Sequence, residues 1–153
     1  MVAQLPYDGK LQYWPSLFSP EKCLHFLNSL FEKVHWEQKP IRLFGKTIMQ
    51  PRLIAWYGDK GCHYKYSGLL LEPTPWNSEL LEIKNHIENL CRVDFNSALL
   101  NYYRNESDSM GAHRDNEKEL GQNPHIASFS LGEARPFVFR HIKTKEKIVL
   151  TLE

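Results

Sequence analysis

The amino-acid sequence predicts an α+β fold with a β-sandwich or jelly-roll core. Two segments with the apolar spacing of helices lie near residues 19–34 and 78–90. Short β-rich segments, separated by turn-forming residues, account for most of the remaining chain. Early helices combined with many short strands are typical of this fold class.

The first predicted helix begins at Ser19-Pro20, a capping residue followed by proline in the first turn. Its apolar residues recur at helical spacing, and we expect this face to pack inward: Leu24, Leu27, Leu30, Phe31 and Val34. The second helix is predicted from near Ser78 to Leu90, with an inward face formed by Leu80, Ile83, Ile87 and Leu90.

The other predicted elements are strands. Residues 41–49 have the pattern of a hairpin that turns at Phe44-Gly45-Lys46, because glycine permits the positive φ of tight turns. Further strands are predicted at residues 52–57, 95–103, 126–131, 137–141 and 148–152, with a turn at 144–147.

Composition and charge exclude some classes of protein. A net charge of +1 disfavours a tail-type nucleic-acid binder but permits an enzyme with a local basic patch. Cys23, Cys62 and Cys91 lie far apart, which disfavours a disulfide scaffold or a zinc finger. With no signal peptide or long apolar run, we expect a soluble protein of a reducing compartment, cytoplasmic or, in a eukaryote, nuclear.

One short motif has the residue types of a metal site. His113 and Asp115 are two residues apart, so an extended strand would place both on one face. An imidazole and a carboxylate can occupy two sites of an octahedral ferrous ion, and a further histidine completes a facial triad. Taken alone, such a pair is more often a polar loop pair, and that alternative stays open. A kinase catalytic loop is excluded, because its asparagine position holds Leu120.

The order of motifs around this pair is more specific. The run from Asn101 to His141, NYYRNESDSMGAHRDNEKELGQNPHIASFSLGEARPFVFRH, resembles the AlkB family of DNA and RNA dealkylating dioxygenases. Upstream segments are similar to the nucleotide-recognition lid of that family: Leu43-Phe44-Gly45-Lys46, Pro51-Arg52, Tyr57-Gly58-Asp59 and Tyr66-Ser67-Gly68.

The resemblance implies a double-stranded β-helix, or jelly-roll, core. It divides one domain, residues 1–153, into N-terminal helices with the lid at 1–92 and a partial jelly roll at 93–153. It also implies that His113 and Asp115 ligate Fe(II), and that Asn101 and Tyr103 bind the cosubstrate 2-oxoglutarate. With O2, such an enzyme hydroxylates an N-alkyl carbon on a base, and aldehyde, succinate and CO2 are released.

The same resemblance implies a substrate surface for alkylated DNA, with RNA as an alternative. The target base must leave its stack, and Phe44 at the hairpin tip could act as a wedge while Lys46 meets phosphate. The other implied substrate-binding residues are Gly45, Arg52, Tyr57, Gly58, Asp59, Asn116 and Glu117. Tyr57 and Trp76 are candidates for stacking on the base, or simply for the core.

Basic residues near two turns are candidates for phosphate contact. Arg42, Lys46 and Arg52 surround the hairpin, and Lys143, Lys145 and Lys147 alternate near the second turn. The alternative for these lysines is an ordinary solvated face. Many relatives carry an acidic residue where this chain has Asn116. This departure leaves the exact base preference open.

The family also requires a distal histidine and two arginines spaced by six residues. We expect the chain to stop before them, which leaves an incomplete jelly roll and weaker iron binding. Arg135 and Arg140 differ by five and would face opposite sides of a strand, so neither is adopted as a cosubstrate ligand. His125 and His141 are not adopted as iron ligands. Two alternatives therefore remain: an inactive nucleic-acid-binding remnant, and a dioxygenase acting on RNA or protein.

Overall fold

A computed structural model describes residues 5, 9–43, 45–62, 64–66, 69–115 and 120–152, without the side chains of residues 42, 43, 64–66 and 69–71. Its elements in chain order are α1 (Pro20–Lys33), β1 (Pro40–Leu43), β2 (Lys46–Met49), β3 (Leu53–Gly58), β4 (Tyr64–Tyr66), β5 (Leu69–Leu71), α2 (Ser78–Cys91), β6 (Ser97–Tyr102), β7 (Arg135–Arg140) and β8 (Lys147–Leu152). They belong to two compact units, residues 1–32 with 128–153, and residues 33–127.

In the unit of residues 33–127, helix α2 begins and ends on clear capping signals. The side chain of Asn77 accepts a hydrogen bond from the backbone N–H of Leu80 at 2.8 Å. At the other end Arg92 adopts a left-handed conformation with φ 58°, and its N–H donates to the carbonyl of Glu88. Leu80 and Ile83 are buried as predicted, whereas Leu90 is 38% exposed and does not belong to the inward face.

The predicted hairpin of residues 41–49 is confirmed. Strands β1 and β2 pair in antiparallel register, with Leu43 opposite Lys46. Gly45 lies in the turn with φ +77°, a conformation that side chains other than glycine rarely adopt. Phe44, the predicted tip of the turn, lies outside the described residues.

Strands β3 and β6 form the sheet that positions the candidate site. They are antiparallel, with Ile54 opposite Asn101 and Gly58 opposite Ser97. The buried apolar residues among the described part of this unit are Val34, Tyr57, Leu80 and Ile83. The same unit contains an ion pair in which Lys33 Nζ, on a side chain that is 55% exposed, lies 2.7 Å from the carboxylate of the buried Glu79.

In the other unit, helix α1 packs through a face that matches the predicted one only in part, with Leu30 half-buried. Phe26 is fully buried, with Phe18 edge-on at a centroid distance of 5.1 Å. Phe18 also contacts Phe129 at 5.6 Å. Leu24 and Phe31 are more than half exposed, so their assignment to the inward face was wrong. Helical spacing allows two overlapping apolar stripes, and the aromatic cluster selects the one that contains Phe26.

The strands of this unit are β7 and β8, which pair from Arg135 opposite Leu152 to Arg140 opposite Lys147. The predicted strand at residues 126–131 is wrong: no strand is assigned there. Its β-favouring residues have no neighbouring ladder among the described residues, and Phe129 packs on Phe18 instead. Conversely, the short strands β4 and β5 were not predicted from the sequence.

The α+β class is confirmed. The described strands form four two-stranded sheets, β1-β2, β3-β6, β4-β5 and β7-β8. Within the described part of the chain, neither helix is long and apolar enough to cross a membrane.

Candidate metal centre

The loop that follows β6 carries His113 and Asp115, and hydrogen bonds between Arg104 and Asp108 form an internal clamp that fixes its first turn. Asp108 is 4% exposed and accepts hydrogen bonds from the guanidinium of Arg104 at 2.7 and 2.9 Å. The same carboxylate accepts the backbone N–H of Arg104 at 3.0 Å. The hydrogen bond to Asp108 raises the pKa of Arg104, which favours the charged guanidinium.

His113 and Asp115 converge, as the facial-triad hypothesis requires. His113 Nε2 lies 3.4 Å from Asp115 Oδ1, and the side chains are 49% and 37% exposed. Two adjacent ligands of an octahedral ion, with bonds of about 2.1 Å, are separated by about 3 Å. The distance between these two atoms is therefore close to what a shared metal ion requires.

A backbone contact of His113 is compatible with the tautomer that such a ligand needs. His113 Nδ1 lies 2.9 Å from the carbonyl oxygen of Gly111, which can only accept a hydrogen bond. A neutral ring whose Nδ1 donates to this carbonyl carries its lone pair on Nε2, facing Asp115. Two acceptors in contact repel each other, and a cation between them removes the repulsion. An imidazolium that donates to both partners is the other arrangement compatible with these distances.

These residues fit a ferrous ion as two of its three protein ligands. In the part of the chain that the structure describes, no third histidine, cysteine, aspartate or glutamate joins the pair in a metal-binding group. The imidazole nitrogen and carboxylate oxygen nevertheless match the donor types of the facial triad. The candidate metal centre is thus a half-site of two described residues, His113 and Asp115.

The two predicted cosubstrate residues lie at the end of β6. Asn101 is half-buried, and its Oδ1 accepts a hydrogen bond from Arg52 Nε at 2.7 Å. Tyr103, also half-buried, follows the last residue of the strand. On an extended chain these residues share a face, so their predicted common role is compatible with the backbone.

Arg52 links β6, which carries the predicted cosubstrate residue Asn101, to the loop that carries His113 and Asp115. Its Nη1 donates to the carbonyl of Ser109 at 3.4 Å, and the Ser109 N–H donates to the carbonyl of Pro51 at 2.8 Å. The sequence placed Arg52 in a phosphate-binding cluster, and this link was missed. Residue spacing could have revealed the contact of Arg52 with Asn101 only if the pairing of β3 with β6 had been known.

The predicted substrate residues fall at two places in the same unit. Gly45 and Lys46 are exposed at the β1–β2 turn. Tyr57 and Gly58 are buried at the end of β3, and Tyr57 is only 5% exposed, which is the core role that the sequence left open. A Cβ on Gly58 would lie 2.9 Å from the carbonyl oxygen of Asn96, so glycine is required there by packing.

Asp59 and Trp76 are joined by a hydrogen bond. The indole Nε1 of Trp76 donates to Asp59 Oδ1 at 2.7 Å, and Lys84 Nζ lies 5.9 Å from the centre of the Trp76 ring. Both contacts orient the indole, whose side chain is half-buried. Asn116 and Glu117, the other predicted base contacts, lie outside the described residues.

The histidines and arginines that the sequence set aside occupy ordinary local positions. His141 Nδ1 lies 2.9 Å from Thr144 Oγ1 in the turn between β7 and β8. Arg135 and Arg140 are the first and last residues of β7. His125 is exposed in an irregular segment.

Comparison with known proteins agrees with this site chemistry. A family model described as the 2OG-Fe(II) oxygenase superfamily matches residues 10–153, which include every predicted site residue. The match extends over nearly the whole chain. It confirms the predicted cofactors of the class, Fe(II), 2-oxoglutarate and the O2 that an oxygenase consumes.

Individual relatives give finer similarity. The chain is 43% identical over 107 residues to human DNA oxidative demethylase ALKBH2, an alignment that covers 70% of this chain and 41% of the relative. It is 41% identical over 128 residues to human alpha-ketoglutarate-dependent dioxygenase alkB homolog 3, covering 83% and 44%. It is 33% identical over 147 residues to DNA oxidative demethylase ALKBH2 of Arabidopsis thaliana, covering 93% and 46%.

The chain thus spans less than half the length of these curated relatives. The resemblance to an AlkB-like protein is confirmed, because the family model matches residues 10–153 and the similar proteins include ALKBH2 and alkB homolog 3. By its match over residues 10–153, this chain belongs to the 2OG-Fe(II) oxygenase superfamily and is an AlkB-like member of it.

Proposed function

We propose that the protein to which this chain belongs removes alkyl groups oxidatively from nitrogen atoms of DNA bases. The proposal covers a jelly-roll core beginning near residue 93 and a nucleotide-recognition lid within residues 1–92. Family membership supports the fold, and the name DNA oxidative demethylase, borne by relatives from Homo sapiens and Arabidopsis thaliana, supports the substrate class.

One observation carries the proposal. His113 Nε2 and Asp115 Oδ1 approach to 3.4 Å, while the Gly111 carbonyl engages the other ring nitrogen. A neutral ring that donates from Nδ1 to the Gly111 carbonyl turns the lone pair of Nε2 toward the carboxylate, which is the arrangement that a metal ligand needs. This arrangement supports His113 and Asp115 as the residues that hold the iron.

The roles of the other residues follow from their chemistry. The Nδ2 amide of Asn101 and the phenol of Tyr103 can donate hydrogen bonds to a carboxylate of 2-oxoglutarate. The exposed Lys46 at the β1–β2 turn can meet a backbone phosphate of DNA. Tyr57 and Gly58 support the lid by packing rather than by contact with the base.

Bound iron, with O2 and 2-oxoglutarate, supplies the oxidising power, and the cosubstrate leaves as succinate and CO2. One oxygen atom is transferred to the N-alkyl carbon, and the hydroxylated product splits into an aldehyde and the unmodified base. The protein residues hold the reactants in place, since proximity and orientation account for much of such catalysis. The target base must leave its stack to reach the half-site.

The test combines metal binding with product analysis. Fe(II) is titrated anaerobically in the presence of 2-oxoglutarate, and a methylated DNA oligonucleotide is then incubated in air and weighed by mass spectrometry. His113→Ala is compared with His125→Ala, a matched histidine that is exposed and outside the proposed site. We expect the first substitution to abolish metal-dependent demethylation and the second to leave it unchanged.

Different outcomes separate the alternatives. Loss of the methyl group from an RNA oligonucleotide, with the DNA oligonucleotide untouched, would move the substrate class to RNA. Oligonucleotide binding with no metal binding and no turnover would identify a nucleic-acid-binding remnant. Equal activity of the wild type and His113→Ala would overturn the role of His113 and with it the dioxygenase proposal.

A further inference from the structure

The side chains of Arg52 and Asn101 form the shortest side-chain link between β6 and the segment that precedes β3. Arg52 Nε donates to Asn101 Oδ1 at 2.7 Å, and both side chains are half-buried. A charged donor makes a stronger hydrogen bond than a neutral one, and partial burial limits competition from water. This contact is thus strong enough to hold the amide in one orientation.

The sheet register brings the two residues together. Asn101 lies directly opposite Ile54, and cross-strand partners project from the same face. Arg52 precedes Ile54 by two residues, so the alternation of an extended chain places it on that face as a diagonal neighbour of Asn101. Diagonal neighbours are about 7–8 Å apart at the backbone, a span that the long arginine side chain covers.

The chemistry of arginine decides which end of the Asn101 amide it meets. A guanidinium has donors and no acceptor, so it can engage only the oxygen of the amide. With Oδ1 held by Arg52, the Nδ2 group must point the other way, and no described residue accepts a hydrogen bond from it. Asn101 therefore presents a donor, the group that a carboxylate ligand needs.

Arg52 also touches the loop that leads to the metal ligands. Its Nη1 lies 3.4 Å from the Ser109 carbonyl, and Ser109 in turn donates its N–H to Pro51. Ser109 is four residues before His113 along the chain. One side chain thus ties the amide on β6 to the start of the loop that carries the metal half-site.

We propose that Arg52 is a positioning residue, which orients the Asn101 amide so that its NH2 group faces 2-oxoglutarate. The inference rests on the proposed function for the identity of the ligand. It is an alternative to the phosphate-binding role that residue spacing suggested for Arg52. Nε and Nη1 each donate one hydrogen bond within the protein, which uses two of the five guanidinium donors. The salt dependence of DNA binding distinguishes the two roles.

The first measurement is the affinity for 2-oxoglutarate in the presence of Mn²⁺, by calorimetry. We expect Arg52→Gln to raise the Kd on the order of tenfold, as loss of a supporting partner of a ligand-binding residue does. Arg52→Lys, which keeps one donor and the charge, should give a smaller increase. Arg140→Gln, which changes an exposed arginine of β7, is the matched control and should leave the Kd unchanged.

A double-substitution cycle separates positioning from a general structural effect. In the Asn101→Ala background, Arg52→Gln should raise the Kd no further, because the amide that it orients is gone. An undiminished effect in that background would overturn the proposal. In an active preparation, Arg52→Gln should raise KM for 2-oxoglutarate while kcat changes little.

A second measurement does not depend on the cosubstrate. The side-chain amide protons of Asn101, assigned by comparison with Asn101→Asp, should shift and broaden in NMR spectra of Arg52→Gln and not of Arg140→Gln. If the wild type binds no 2-oxoglutarate, the proposed function fails and the cosubstrate role of Arg52 fails with it. The amide signals still report whether Arg52 orients Asn101.

A DNA-binding measurement tests the alternative, in which Arg52 contacts phosphate. If Arg52 contacts phosphate, Arg52→Gln should weaken binding of a DNA oligonucleotide and lower the slope of log K against log salt by about 1. Lys46→Gln is the comparison for that behaviour, since Lys46 is exposed at the hairpin turn. A changed salt slope together with an unchanged Kd for 2-oxoglutarate would overturn the positioning role.

Discussion

Arg104 holds the buried carboxylate of Asp108 through three hydrogen bonds, two from its guanidinium and one from its own backbone N–H. The pair closes the turn between the end of β6 and the loop that carries His113. A further bond between Ser109 and Pro51 attaches the end of this turn to the chain before β3. His113 and Asp115 are exposed, but the segment that precedes them is held in place by these hydrogen bonds.

Replacing Asp108 should loosen this segment. In Asp108→Ala the backbone N–H of Arg104 loses its acceptor, and the urea midpoint should fall by about 0.5 M or more. Metal affinity of the half-site should fall as well, because His113 follows the loosened turn. Asp94→Ala, at an exposed aspartate of the same unit, is the control for the loss of a carboxylate. Equal urea midpoints for both variants would show that the clamp contributes nothing.

From the packing of helix α1 we predict that Phe26 contributes more to stability than Leu24, although the apolar spacing had placed Leu24 on the inward face. Phe26 is fully buried, whereas Leu24 is 58% exposed. Phe26→Ala should lower the free energy of unfolding by about 3–5 kcal/mol, because it leaves a cavity in the aromatic cluster. Leu24→Ala should change it by no more than about 0.5 kcal/mol. Chemical denaturation of both variants checks this, and a larger loss in Leu24→Ala would restore the predicted face.

Gly58 should tolerate no side chain. A Cβ there would lie 2.9 Å from the Asn96 carbonyl oxygen and 3.0 Å from Ser97 Cβ, and neither atom belongs to a flexible chain end. Gly58→Ala should therefore cost about 1–3 kcal/mol of stability, measured by thermal unfolding. Gly111→Ala is a suitable stability control, since a Cβ there meets nothing within 4 Å. A Tm for Gly58→Ala equal to that of the control would contradict the packing role.

The loop after α2 should show a pH-dependent stability. Burial by itself would raise the pKa of Glu88, but hydrogen bonds from Lys84 and from the Phe95 N–H together hold it below its ordinary value of 4.5. Because the folded pKa is depressed, the stabilisation is present above pH 4.5 and is lost as the pH falls through the folded pKa.

Glu88→Gln keeps an acceptor for Phe95 and removes the charge that attracts Lys84. At neutral pH it should lower stability by about 0.5 kcal/mol, the usual size of such a helix ion pair. The difference from the wild type should vanish below the folded pKa of Glu88. Urea unfolding at a series of pH values measures it, and a difference that persists in acid would refute an ionic origin.

Local sequence signals determined much of the secondary structure. Ser19-Pro20 places the start of α1, and Asn77 caps α2 one residue before its predicted beginning. The β1–β2 hairpin follows from the glycine at position 45. These features depend on neighbours within a few residues along the chain, which is why the sequence alone could indicate them.

Burial and long-range pairing could not be predicted in the same way. Helical spacing could not choose between the stripe with Leu24 and the stripe with Phe26, because the choice depends on the aromatic rings of Phe18 and Phe129. Residues 126–131 have strand-forming residues without a paired strand. Strand formation needs a partner whose position the local sequence does not contain.

The candidate site also depends partly on local sequence and partly on long-range pairing. The sequence alone determined which residue types could hold iron, since His113 and Asp115 are close along the chain and need only an extended backbone to meet. The tertiary structure decided what Arg52 does, because its contact with Asn101 joins residues 49 positions apart and depends on the register of β3 with β6. Short-range geometry follows from covalent spacing, whereas contacts between distant residues exist only after the strands have paired.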